Sequence, residues 1–197
     1  MKTTIFNTPI LSGIFHFLAR FIMRLLGWRV DGKLPDLPKF VLIGAPHTSN
    51  WDFILFLGVI FRLRANVRFM GKAEVFRSPI GWFFRYCGGI PVDRKKSTGL
   101  VEQMVKASNE SEKFILTIAP EGTRHQVQEW KRGFYHIAKG AGIPIVMAVV
   151  DGKHKTVRVG QIFHPTADIE ADMKSIQGFF AGAVEINPRR KYITLES

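Results

Sequence analysis

Cysteine is nearly absent from this sequence, which has one, Cys87, among its 197 residues. A single thiol cannot form an internal disulfide, so a disulfide framework is excluded, and a reducing compartment fits the chain. Cys87 lies in the apolar stretch FFRYCGG. This setting is typical of a small packed residue and not of a catalytic thiol.

Several chemistry-bearing motifs are missing as well. The sequence has no G-x-S-x-G for a serine nucleophile, and no H-E-x-x-H or C-x-x-C for zinc. It also has neither of the glycine-rich patterns that hold nucleotide phosphates. We therefore expect no resident metal or cofactor.

Acidic residues are scarce, with 16 Asp and Glu against 28 Lys and Arg, which gives a net charge of +12. Such a balance favours anionic partners: nucleic acid, an acidic lipid surface or phosphorylated small molecules. Charge alone does not choose among these three.

A long uninterrupted apolar run is also absent, even near the N-terminus. Within residues 10–26, polar side chains recur every four positions, at Ser12, His16, Arg20 and Arg24. A helix would carry them as one polar stripe beside a broad apolar face, whereas a spanning helix needs about 20 mostly apolar residues. We predict that residues 1–28 form a helix in the membrane interface, with both arginines toward the headgroups. The alternative is a helix packed on the protein's own core.

Residues 29–197 are predicted to form one α/β domain. Apolar runs of strand length (residues 40–45, 114–120 and 143–150) alternate with helical patterns. This alternation predicts a mixed, mostly parallel sheet flanked by helices. Residues 31–39, DGKLPDLPK, indicate a linker, and residues 157–163 indicate an outer strand.

Polar residues follow the first of these strands in APHTSNWDF, residues 45–53. His47 precedes the next helix and Asp52 lies in its first turn. A histidine can act as a general base near neutral pH, and a carboxylate can orient its ring. From the residues alone, the alternative of a turn histidine followed by an ordinary helix-start Asp stays open and is not outweighed by the catalytic pair.

Two further clusters follow predicted strands. APEGTRH (119–125) offers Glu121, Gly122, Thr123 and Arg124, and GGIPVDR (88–94) ends in Arg94. A guanidinium can bind a phosphate through two parallel hydrogen bonds. Two arginines at strand ends in a basic chain favour an anion pocket, although a lone arginine is more often a solvated surface charge.

Together these blocks resemble the motifs of the glycerophospholipid acyltransferases, the lysophosphatidate acyltransferase-like superfamily. APHTSNWD resembles the H-x4-D motif, GGIPVDR the second block, APEGTR the third and AGIPIVMAVV the fourth. They occur in the family's order over residues 45–150, and residues 29–197 would then be the catalytic domain.

The resemblance implies an O-acyltransferase that moves a fatty acyl group from an acyl thioester to a lysophospholipid hydroxyl. His47 would be the base and Asp52 would orient it. The acceptor site would be shaped by five residues: Arg94, Glu121, Gly122, Thr123 and Arg124. Lys72 is a further candidate anion contact, or a source of oxyanion stabilisation. The donor would be acyl-coenzyme A or acyl carrier protein.

The implied setting is lipid metabolism at an anionic membrane surface, with the chain peripheral or monotopic on the cytoplasmic face. 1-Acyl-glycerol-3-phosphate is the default acceptor, and another lipid or a non-lipid acceptor stays open, since Pro91 and Met147 depart from the usual pattern. Two rivals are a hydrolase and a non-enzymatic lipid- or nucleic-acid-binding protein. Because nucleic-acid binding gives no reason for a His–Asp pair, we expect no nucleic-acid partner.

Overall fold

A computed structural model describes residues 4–47, 51–92, 99–123, 127 and 129–182. The strands are β1 Arg29–Gly32, β2 Lys39–Ala45, β3 Val67–Lys72, β4 Gly89–Val92, β5 Phe114–Ile118, β6 Ile145–Asp151 and β7 Thr156–Phe163. The helices are α1 Pro9–Leu25, α2 Trp51–Leu63, α3 Ala73–Arg77, α4 Gly81–Tyr86, α5 Leu100–Asn109, α6 Gly133–Ala141 and α7 Ile169–Phe180, preceded by a short 3₁₀ helix, Ile5–Asn7.

The seven strands form one mixed sheet in the order β1-β7-β6-β2-β5-β3-β4. All neighbouring strands are parallel except β6 and β7, which are antiparallel. The predicted α/β class, with a mostly parallel sheet flanked by helices, is confirmed.

The sheet is covered by helices on both faces, which explains its continuous apolar runs. Alternate residues of β2 point to opposite faces, and Phe40 and Val41 are both fully buried. Val41 packs in a cluster with side chains of α5, α6 and α7. Phe40 packs on the other face with Met23 of α1 and Ile60 of α2.

One local prediction was wrong. β7 is not an outer strand, because β1 pairs with it at the edge of the sheet. β1 has no apolar run that could indicate a strand, because it has four residues, of which only Val30 is part-buried. Helix α3, which precedes Pro79, was not predicted from the sequence; α4 follows that proline.

One edge of the sheet collects the polar residues noted in the sequence. β2, β3, β4 and β5 run in the same direction, so their carboxyl ends lie on one edge, which we call the strand-end rim. Ligands of open α/β sheets usually bind at such an edge.

The predicted N-terminal amphipathic helix is present as α1. It packs on α2 through one side, where Ala19 and Met23 are buried, and His16 Nδ1 lies 2.8 Å from the carbonyl oxygen of Phe61. Its broad apolar face points away from the protein: Phe17 is 74% exposed and Leu25 75%. Among the described residues, none of the helices has the combination of length and apolar character needed to cross a bilayer.

Candidate functional site

His47 and Asp52 come together at the strand-end rim. His47 follows β2 directly, Asp52 lies in the first turn of α2, and the distance from His47 Nδ1 to Asp52 Oδ2 is 3.1 Å. The side chain of Asp52 is 9% exposed and that of His47 is 26% exposed. The intervening residues 48–50 lie outside the described residues.

This geometry suits a general base. A carboxylate near Nδ1 favours the tautomer with the proton on that nitrogen, which leaves Nε2 with a lone pair. The start of a helix also favours a carboxylate, because the helix dipole places partial positive charge there. A partly exposed ring backed by a buried acid can therefore accept a proton from a bound hydroxyl.

Glu121 contacts the same histidine from the neighbouring strand. It lies just beyond β5, is 7% exposed, and its Oε2 accepts a hydrogen bond from the main-chain N–H of His47 at 3.0 Å. The resemblance implied that Glu121 helps to shape the acceptor site. In the structure, one oxygen of its carboxylate binds the backbone of His47. Glu121 can therefore hold the main chain from which the imidazole ring projects.

The turn after Glu121 requires glycine. Gly122 has a φ of +66°, in the left-handed region, and its N–H donates to the carbonyl of Ala119 at 3.0 Å. A Cβ at Gly122 would lie 2.9 Å from Cδ of Lys131. The part-buried Thr123 follows on the same turn.

Lys131 was missed by the sequence analysis. Its N–H donates to the carbonyl of Pro120 at 2.9 Å, and its exposed side chain runs over Gly122. The available signal was the basic pair Lys131–Arg132 just before α6. Its charge adds to the basic character of the rim.

The remaining predicted site residues have different outcomes. Lys72 ends β3 and is exposed on the same rim. β3 is separated from β2 only by β5, so Lys72 lies about 10 Å across the sheet from the end of β2. Arg94 and Arg124 lie outside the described residues.

An apolar groove runs between α1 and α2 and has a volume of about 410 Å³. We call it the α1–α2 groove. Six of its lining side chains are Phe15, Leu18, Ile22, Trp51, Ile54 and Phe83. Trp51 immediately precedes Asp52 in α2, so the groove reaches the helix that carries the acid.

The thiol of Cys87 does not suit a catalytic nucleophile. Burial raises the pKa of the Cys87 thiol to about 11, so at neutral pH it is protonated and a poor nucleophile. In the described part of the chain, no group of three or more His, Cys, Asp or Glu side chains is placed to hold a metal ion.

A comparison with protein families shows to which family the chain belongs. A family model described as Acyltransferase matches residues 29–151, more than half of the chain. The chain belongs to this acyltransferase family. The resemblance to the glycerophospholipid acyltransferases is confirmed by the relatives that follow.

Several similar proteins carry the name 1-acyl-sn-glycerol-3-phosphate acyltransferase. The protein from Streptococcus pneumoniae is 28% identical over 149 residues, covering 71% of this chain and 55% of the relative. The protein from Haemophilus influenzae is 25% identical (79% and 68% covered), and that from Saccharomyces cerevisiae is 33% identical (62% and 42% covered). The chain thus spans about half the length of the first of these relatives.

The fold also matches a solved structure. The crystal structure of the 1-acyl-sn-glycerophosphate acyltransferase PlsC from Thermotoga maritima superposes with a TM-score of 0.65, covering 92% of this chain and 81% of that one. The two sequences are 19% identical, so this likeness supports the acyltransferase fold.

Proposed function

We propose that this acyltransferase moves a fatty acyl group from an acyl thioester to the free hydroxyl of a lysophospholipid, with 1-acyl-glycerol-3-phosphate as the first acceptor to test. His47 is the general base and Asp52 holds its ring. Three relatives with that substrate in their names support the choice of acceptor.

The observation that carries the proposal is the His47–Asp52 contact of 3.1 Å at the strand-end rim. The two residues come from different elements, and the sheet and α2 bring them together with the acid buried and the base accessible. Such a pair typically contributes about 10²–10⁴-fold in rate.

The proposed reaction transfers the acyl group directly from the thioester to the acceptor, without a covalent enzyme intermediate. His47 Nε2 removes the proton of the acceptor hydroxyl as its oxygen attacks the thioester carbonyl carbon. The new C–O bond forms, the tetrahedral intermediate collapses and the C–S bond breaks. The departing thiolate takes the proton from the imidazolium, which restores the neutral histidine. Asp52 stabilises the imidazolium while it exists.

The anionic parts of the substrates are proposed to bind the basic rim. Arg94 and Arg124 are the proposed contacts of the acceptor phosphate, with Lys72 and Lys131 adding positive charge. The N–H of Gly122 already donates to the carbonyl of Ala119, so we take the ammonium of Lys72, at the same edge, as the candidate to stabilise the oxyanion. Glu121 acts by holding the backbone of His47.

The donor is proposed to be acyl-coenzyme A or acyl carrier protein. In either case the thioester supplies the activated acyl group, so the reaction needs no resident metal or cofactor. Both donors carry the acyl group as the same kind of thioester, so both are included in the experiment described below.

We also propose that the enzyme works at an anionic membrane surface, on its cytoplasmic face. α1 exposes its apolar side, carries the exposed Arg20 and Arg24, and contains no acidic residue. This pattern is typical of a helix that lies in the lipid interface. The α1–α2 groove adds apolar surface next to the site, which suits substrates with long acyl chains.

The test is product analysis with the purified protein. Mixed lysophospholipids are supplied in vesicles with acyl-coenzyme A or acyl carrier protein of several chain lengths, and products are identified by mass spectrometry. We expect phosphatidic acid to form fastest from 1-acyl-glycerol-3-phosphate. Preference for another acceptor would reassign the substrate, and release of free fatty acid alone would favour the hydrolase.

A further inference from the structure

The short helices α3 and α4, residues 73–86, expose apolar side chains in an unusual way. We call these residues the α3–α4 segment. Ile80 is 58% exposed and Trp82 is 66% exposed, whereas Phe76 in the same segment is 3% exposed. A tryptophan is large enough to bury much of its surface in a core, so its exposure here calls for an explanation.

A loose loop does not explain this exposure, because the segment is held firmly. The ring of Phe76 fills space beside two glycines: an added Cβ would lie 2.9 Å from it at Gly71 and 2.7 Å at Gly89. Arg85 donates a hydrogen bond to the carbonyl of Phe76 at 2.7 Å, and its guanidinium lies 5.5 Å from the centre of that ring. These contacts of Phe76 and Arg85 therefore determine which side chains of the α3–α4 segment face outward.

The exposed side chains continue the apolar surface formed by α1 and α2. The ring of Trp82 lies 6.1 Å from that of Phe83, and Phe83 lines the α1–α2 groove with Trp51 and Ile54. In the described part of the chain, all but four of the exposed large hydrophobic side chains belong to α1, α2 or the α3–α4 segment. The exceptions are Leu26, which directly follows α1, and Leu37, Ile162 and Phe179.

The charges around this surface identify its partner. The α3–α4 segment and the residue before it expose Lys72, Arg77 and Arg85 against a single acid, Glu74. α1 adds two arginines and no acid. Two copies of so basic a surface would repel each other, whereas an anionic bilayer attracts each basic residue by about 1 kcal/mol. Tryptophan is also enriched at the level of the lipid headgroups.

We propose that the α3–α4 segment is a second membrane contact, which inserts Ile80 and Trp82 into an anionic bilayer beside α1. α3 begins directly after Lys72, the last residue of β3, so this contact lies at the strand-end rim. A single helix can roll about its own axis on the bilayer. Two separate contacts prevent that rolling and hold the rim of His47 toward the lipid. The role of this contact in orienting the site rests on the proposed function. Its binding to a bilayer can be measured without assaying acyl transfer.

The direct test is tryptophan fluorescence with anionic vesicles of phosphatidylglycerol and phosphatidylcholine, some carrying lipids brominated at a shallow position. One variant keeps Trp82 alone, with Trp28, Trp51 and Trp130 changed to Phe. The matched control keeps Trp130 alone, which packs against Phe180 of α7 on the opposite face of the sheet. We expect a blue shift and strong quenching for Trp82 and little change for Trp130. Equal responses of the two, or no binding of the chain to these vesicles, would overturn the proposal.

A second measurement avoids the need for the single-tryptophan proteins to fold. The double variant Ile80→Ala, Trp82→Ala removes two exposed side chains, and we expect its affinity for vesicles to fall by about 10-fold or more. The control Leu37→Ala, Ile162→Ala removes exposed side chains away from this surface and should bind as the unmodified chain does. Equal affinities of the two double variants would contradict the contact.

Two further outcomes separate the explanations. If lipid-free protein forms dimers that the double variant Ile80→Ala, Trp82→Ala abolishes, the surface serves a second copy of the chain and the membrane proposal is wrong. If the unmodified chain binds vesicles through Trp82 but transfers no acyl group to any acceptor, the contact stands and the proposed function fails.

Discussion

The carboxylate of Glu121 accepts a hydrogen bond from the main-chain N–H of His47 at 3.0 Å. It joins the carboxyl ends of two adjacent parallel strands, β5 and β2, at the point where β2 delivers the histidine. Asp52 holds the ring and Glu121 holds the backbone, so two buried carboxylates fix one imidazole from two directions.

The contact of Glu121 predicts a particular split of kinetic constants. In Glu121→Ala the backbone of His47 loses its acceptor and the base shifts, so we expect kcat to fall about 100-fold, as for a displacement of roughly 1 Å. Glu121→Gln keeps an acceptor oxygen and should recover much of the rate. The KM of the acceptor should stay nearly constant in both variants. A rise in that KM with unchanged kcat would instead make Glu121 a substrate contact.

Asp52 gives a second prediction. Asp52→Asn keeps the size of the side chain but removes the charge that stabilises the imidazolium and favours the productive tautomer. We expect kcat to fall about 10²–10⁴-fold with little change in thermal stability. Steady-state kinetics at saturating thioester, together with a melting curve, checks both parts. A loss of activity explained wholly by unfolding would count against an orienting role.

Gly122 provides a third prediction, concerning the turn. Gly122→Ala must hold an L-residue at a φ of +66° and brings a Cβ to 2.9 Å from the side chain of Lys131. The backbone strain costs roughly 1–2 kcal/mol, and Lys131 must move. We expect a lower free energy of unfolding and a raised acceptor KM.

Gly178→Ala, inside α7 with open space around its Cβ position, is the matched control for Gly122→Ala and should be neutral or stabilising. If the two alanine variants behave alike in denaturation and in kinetics, the turn does not need its left-handed glycine.

The fold could be predicted well where burial dictates the sequence. β2 and β6 are covered on both faces, so nearly every residue must be apolar, and their runs could be recognised from the letters alone. β1 could not, because an edge strand of four residues buries little and looks like the linker around it. Helix α3 could not be predicted either, because it has only five residues and Phe76 is the one residue of it that is buried.

The residue types of the site could be predicted from the sequence, but the group that each side chain contacts could not. The spacing of His47 and Asp52 suggested a pair, and the resemblance singled out Glu121. Which group the Glu121 carboxylate would face depends on the register of β5 against β2, which the sequence does not reveal. Lys131 was missed because it is near in space to Gly122 and nine residues away along the chain.

A fourth prediction concerns stability and pH, away from the site. Asp172 is buried and accepts hydrogen bonds from Tyr135 Oη at 2.8 Å and from the N–H and hydroxyl of Thr166. Burial alone would raise the pKa of this carboxyl, but hydrogen bonds from Thr166 and Tyr135 outweigh it and the pKa is lowered. The stabilisation is therefore complete above the unfolded pKa of about 4 and is lost as the pH falls below it.

Denaturation of Asp172→Asn across pH tests this. We expect a loss of about 1.5–3 kcal/mol in the free energy of unfolding at pH 7, and the gap to the unmodified protein should narrow as the pH falls below about 4. Asp36→Asn, at an exposed position, removes the same charge and serves as the control. A gap that stays constant through the acidic range would show that the carboxylate itself is not what stabilises α7.

The most direct test of His47 as the general base is to measure acyl transfer by the variant His47→Ala. The acceptor is 1-acyl-glycerol-3-phosphate in anionic vesicles, and the donor is a labelled acyl thioester. Circular dichroism and vesicle binding are recorded on the same preparation. We predict a fall in phosphatidic acid formation of at least about 100-fold, with the fold and the membrane contact unchanged. Near-normal turnover by this variant would contradict a base at residue 47, and with it the mechanism proposed for the strand-end rim.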